Sequence, residues 1–98
     1  MYKGIRIVYD SVIEDRILKI LKSENIEKYI KFPKLEGVWG KELRHLNSHI
    51  WPGTDGIIFL MLPEEKSVTV LDKFRNFKKK LEIDVPFMIV VSPIEEII

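Results

Sequence analysis

The sequence predicts an α+β fold in the order strand, helix, strand, strand, helix, strand, with two helices on one face of a four-stranded antiparallel sheet. Three observations predict it. Four runs rich in β-branched and aromatic residues, near 2–9, 28–35, 56–62 and 87–91, read as strands. Two stretches between them repeat apolar residues at helical spacing. The 98 residues, 46% hydrophobic and 32% charged, are enough for one domain (1–98) with a modest core and too apolar for disorder.

Ile5, Ile7 and Val8-Tyr9 define the first strand. Ser11-Val-Ile-Glu14 then has the form of a capping box, in which each side chain satisfies the other residue's amide. Ile13, Ile17, Ile20 and Leu21, widened by Leu18, give a first helix over about 12–24, which Asn25 stops. Lys28 to Leu35 alternates as a second strand, and Pro33, which cannot donate to a ladder, places it at a sheet edge. Gly56 to Leu62 is the third strand, apolar on both sides. Pro63-Glu64-Glu65 opens the second helix, its acids favoured at the positive end of the helix dipole. Val68, Leu71, Phe74 and Leu81, with Phe77 alongside, form its expected buried stripe, and Lys78-Lys79-Lys80 suit its last turns. Phe87-Met-Ile-Val-Val91 is the fourth strand.

This order is the ferredoxin-like arrangement. Its helices cover only one sheet face, yet the third and fourth strands are apolar on both. Strands of that kind are buried on both sides. A second copy of the chain is the simplest cover, and the tail Pro93 to Ile98 could extend such an interface.

Composition removes several functions. A net charge of +1 gives no electrostatic case for nucleic acid or an acidic membrane. With no cysteine, thiolate metal sites, disulfides and cysteine nucleophiles are excluded. Met1-Tyr2-Lys3-Gly4 does not read as an export signal, and no apolar run is long enough for a membrane helix, so a cytoplasmic location is expected.

The chemistry concentrates in the connection from Glu36 to Asp55, too long for a hairpin turn. It holds both tryptophans, Trp39 and Trp51, and both histidines, His45 and His49. Packing of the loop is the plain reading of the tryptophans. On a helical turn His45 and His49 would share a face and could hold a metal, with Glu42 or Asp55 as a third ligand. Zinc or copper would suit imidazole. Ordinary solvated or hydrogen-bonded histidines are the alternative. Gly37 and Gly40 could let the backbone turn toward an anion, with Lys41 and Arg44 adding charge, although ordinary turn geometry explains them equally. Ser48 lies between the histidines, but no nucleophile, base and orienting partner are evident, so no enzyme is expected.

Tyr29-Ile-Lys-Phe-Pro33, Gly37, Gly40 and His45-Leu-Asn-Ser-His-Ile-Trp-Pro-Gly53 resemble the P-II-like family of small signalling proteins. The resemblance implies a ferredoxin-like homotrimer that binds a small ligand or metal in clefts between subunits. Its long loop would report ligand state to a partner, often a membrane transporter. It places functional positions at Lys31, Gly37, Gly40, His45, His49 and Trp51. Two features depart from the nitrogen-regulatory members. Residues 36–55 contain no tyrosine for modification, and Leu81 to Pro86 lacks the glycines that hold ATP phosphates there. ATP binding in that manner is therefore not expected. The related divalent-cation-tolerance proteins offer the alternative of a metal-binding protein using His45 and His49.

Overall fold

A computed structural model describes residues 1–98. The β-branched runs form a four-stranded antiparallel sheet from β1 (Tyr2–Asp10), β2 (Ile30–Leu35), β5 (Asp55–Pro63) and β6 (Phe87–Ile94). A small separate ribbon, β3 (Gly37–Val38) and β4 (Arg44–His45), lies within the long connection. The helices are α1 (Glu14–Ser23) and α2 (Glu64–Lys80). The main sheet runs β2-β5-β1-β6, so the ferredoxin-like expectation holds and β2 is an edge, as Pro33 required.

Register decides which side chains face the helices. Ile5 stands opposite Leu60, Ile7 opposite Ile58 and Tyr9 opposite Gly56. These residues are buried and meet Ile13, Ile17 and Leu21 of the first helical segment and Val70 and Phe74 of α2. Gly56 is dictated by contact: a Cβ there would fall 2.6 Å from the Tyr9 ring.

The first helix stops as Asn25 predicted. Asn25 adopts φ +58°, its amide bonds the Lys22 carbonyl, and the Ile26 amide reaches back to Leu21. That is a Schellman end, and buried Ile26 supplies its apolar contact.

Two local expectations fail. The capping box is not made. Residues Ser11–Ile13 form a 3-10 turn capped by Asp10, whose Oδ1 accepts from the Val12 amide at 2.9 Å. The Ser11 hydroxyl instead meets that of Thr54, and Glu14 accepts from Tyr9. The α2 stripe fails only at its first member: Phe74 is buried and Leu71, Phe77 and Leu81 pack against the core, but Val68 does not. Ser67, Val70 and Phe74 are buried, whereas Val68 is 58% exposed. Ser67 is buried although polar, because its hydroxyl donates to the Glu64 carbonyl at 2.6 Å.

The opposite sheet face has no helix. Arg6 stands between Phe59 and Val90, and Val8 between Ile57 and Met88, while Ile30 and Phe32 continue the surface onto β2. Ile30, Phe32, Met61, Met88 and Val90 are all exposed. An apolar surface of this kind marks an interaction site.

Candidate functional site

The loop between β2 and β5 is built, not slack. The Trp39 amide donates to the Leu43 carbonyl at 2.8 Å and closes the turn joining β3 to β4. Gly37 pairs with His45 and Val38 with Arg44. Beyond β4 the chain bends sharply. Asn47 takes φ +49°, and its amide reaches the Gly53 carbonyl at 3.0 Å. The Leu46 and Ser48 amides both donate to the Trp51 carbonyl, while the Trp51 amide donates to Ser48 Oγ.

A buried polar cluster ties this ribbon to the end of the sheet. Asp10 ends β1, Asp55 begins β5, and the two stand directly opposite one another. Facing carboxylates repel. His45 enters between them, with Nδ1 2.6 Å from Asp55 Oδ1 and Nε2 3.5 Å from Asp10 Oδ2. The other Asp55 oxygen accepts from Trp39 Nε1 at 2.8 Å. His45 and Asp55 are both buried, so these contacts lie in a medium where charge-assisted bonds are strong.

Two glycines make the close packing possible. A Cβ on Gly37 would collide with Asp55 Oδ2. Gly53 adopts φ +98° and lies against the His45 ring, which a Cβ would approach to 3.1 Å. Gly40, by contrast, has open space around it, so nothing steric demands glycine there.

The remaining sequence candidates separate. Lys31 lies near Glu14, Nζ to Oε2 at 3.6 Å, on the helix side of β2. Glu14 also accepts from Tyr9 at 2.7 Å. Burial first, then the hydrogen bond and charge of Glu14, pushes the Tyr9 phenol above its ordinary range. Trp51 sits against Arg44, ring centre to guanidinium carbon 5.4 Å.

The metal geometry rested on a helical turn carrying both histidines, and that turn does not form. His45 is in a strand, bends follow, and His49 is exposed in the tip. His45 is buried against Asp55 and Asp10 while His49 faces solvent, so the two do not stand on one helical face. No three histidine, aspartate or glutamate side chains are grouped as metal ligands. Asp10 and Trp39 are the residues that sequence reasoning undervalued. Antiparallel pairing of the first and third strands would have revealed Asp10, because it brings two carboxylates face to face and requires a donor between them.

The fold and this site define a class: a ferredoxin-like domain with an open sheet face and a long structured loop. The particular likenesses are to solved PII-like proteins. CPII from Thiomonas intermedia K12, bound to ADP and bicarbonate, superposes with a TM-score of 0.72 at 16% identity, over 93% of this chain and 83% of that one. The apo form of the same protein gives 0.57 at 16% identity, over 93% and 90%. A PII-like signalling protein from Thermus thermophilus gives 0.64 at 20% identity, over 93% and 84%. At these identities the likeness establishes the fold. No protein-family profile matches the chain, and no curated protein matches it in sequence.

Proposed function

We propose that this protein is a small PII-like regulator without enzymatic activity, which assembles as a homotrimer and binds a small ligand in clefts between subunits. The open apolar sheet face carries this reading. Five large hydrophobic side chains are exposed on it, and the chain contains no further element to cover them. The long loop is anchored at one end of that face, where Asp10 and Asp55 terminate the central strands. A ligand bound near Gly37, Gly40 and Trp51, with Lys31 on the neighbouring strand, would act on the loop at a subunit boundary. The loop would then report to a partner such as a membrane transporter.

ADP, AMP and bicarbonate are the first ligands to try, because the structurally similar CPII is bound to them. The stretch from Leu81 to Pro86 supplies Glu82 and Asp84 and no glycine, so it offers a phosphate neither backbone approach nor positive charge. Native mass spectrometry of the purified protein, with and without each ligand, tests the proposal. A trimer that retains one of them is expected. A stable monomer at micromolar concentration would refute the assembly and the clefts that depend on it.

A further inference from the structure

Arg44 is the one cation of the loop that is partly buried and yet has no partner. Its Nε is the only buried side-chain nitrogen or oxygen in the chain without a hydrogen bond. The side chain takes part in no ion pair. A buried donor left unmade is costly, more so when the group is charged, so such an atom requires an explanation.

Strand alternation supplies part of it. His45 and Arg44 are adjacent in β4, so their side chains leave opposite faces of the ribbon. His45 turns toward the end of the sheet and occupies both nearby carboxylates. Asp55 is further engaged by Trp39, and Asp10 by the Val12 amide. Arg44 is left on the other face, across from Val38, with the Trp51 ring 5.4 Å from its guanidinium carbon. A ring face of this kind steadies a guanidinium without using its N–H groups.

We propose that Arg44 is the anchor of an oxyanion site in the loop, taking a small carboxylate, bicarbonate or phosphate side-on through Nε and a terminal nitrogen. The planar guanidinium fork matches such groups in bidentate fashion. Gly40, on the turn that joins β3 to β4, has open space around it. Nε is closed to solvent in the empty site, so binding there requires the Trp51 tip to give. The hydrogen bonds of that tip run through Leu46, Asn47 and Ser48. Occupancy of Arg44 is thereby coupled to the shape of residues 47–53. This inference rests on reading the loop as a ligand site, and it names the chemistry that the loop recognises.

The test is a nitrogen-15 NMR titration of the full protein that follows the Arg44 Nε–H resonance, assigned by its loss in Arg44→Lys. Inorganic phosphate, sodium bicarbonate and ADP are added separately, with sodium chloride at matched ionic strength as reference. A saturable shift of this resonance and of the Trp51 indole is expected with at least one of the three. The one that saturates identifies whether a free anion or a nucleotide phosphate is the source. Arg44→Gln is expected to weaken that binding at least about tenfold, and Arg44→Lys to weaken it less. If no probe shifts the resonance beyond chloride, the site is refuted, even where native mass still shows a ligand-bound trimer. If Arg44→Gln fails to fold, the wild-type titration alone decides. Saturation without movement of Trp51 would overturn the coupling to the tip.

Discussion

Asp55 accepts two side-chain donors at once, from His45 and Trp39, and stands opposite a second carboxylate. Replacing it with alanine removes both bonds, leaving the buried imidazole only its 3.5 Å contact with Asp10 and the half-buried indole unpaired. A loss of roughly 3 kcal/mol is expected, partly offset by relief of the repulsion with Asp10. Urea denaturation should measure it, and Trp39 emission should shift to the red as the ribbon comes away. The glycines permit a paired comparison. Gly37→Ala should destabilise by about 1–3 kcal/mol because its Cβ meets Asp55, whereas Gly40→Ala should change stability by less than about 0.5 kcal/mol. A selective loss of ligand binding in Gly40→Ala would place that glycine at the ligand; unchanged binding would remove it from the site. Tyr9 gives a pH dependence. Its folded-state pKa is raised, so the fold favours the neutral phenol. That contribution is complete below the ordinary phenol value of about 10 and declines as pH rises beyond it. Thermal midpoints recorded from pH 8 to 11 should therefore fall more steeply for the native protein than for Tyr9→Phe. At neutral pH Tyr9→Phe should be less stable by about 1 kcal/mol, for loss of the bond to Glu14.

Among the elements, strands and helix ends were the most legible in the sequence. Pro33 placed β2 at an edge because it lacks the ladder donor, and Asn25 ended the first helix because asparagine tolerates the left-handed backbone found there. The failures share another cause. Ser11 and Glu14 fit a capping box by spacing, but Thr54 and Tyr9, distant in sequence, offered them partners that a local pattern does not contain. Val68 fitted an apolar stripe, but in the first turns of α2 Ser67 and Val70 are the residues that face the core, and Val68 faces solvent. Tertiary contact decides such choices, and helix propensity does not. Val70→Ala should therefore destabilise by roughly 2 kcal/mol, while Val68→Ala changes stability by less than about 0.5 kcal/mol; chemical denaturation of the two variants separates them. The loop was legible as the richest segment, but its geometry was not. The histidine spacing suggested a helical pair, whereas two facing carboxylates drew one histidine inward and left the other in solvent.

At the scale of the whole molecule, the helices cover one sheet face and leave the other open, the face that the proposed assembly would bury. Phe59→Asp introduces a charge at the middle of that face, against Arg6 and Ile30. It should yield a folded monomer by native mass and circular dichroism. An intact oligomer would place the interface elsewhere. The edges of the same sheet carry a further consequence. Each outer strand contains a proline, Pro33 in β2 and Pro93 in β6, and β2 is further interrupted by a bulge at Lys34, φ +57°. A proline offers no amide to an incoming strand, and a bulge turns the ladder aside. Sideways growth of the sheet from one molecule to the next is blocked at both margins, while contact across the face stays open. The edges thus guard the fold against fibre growth by strand addition, whatever covers its open face.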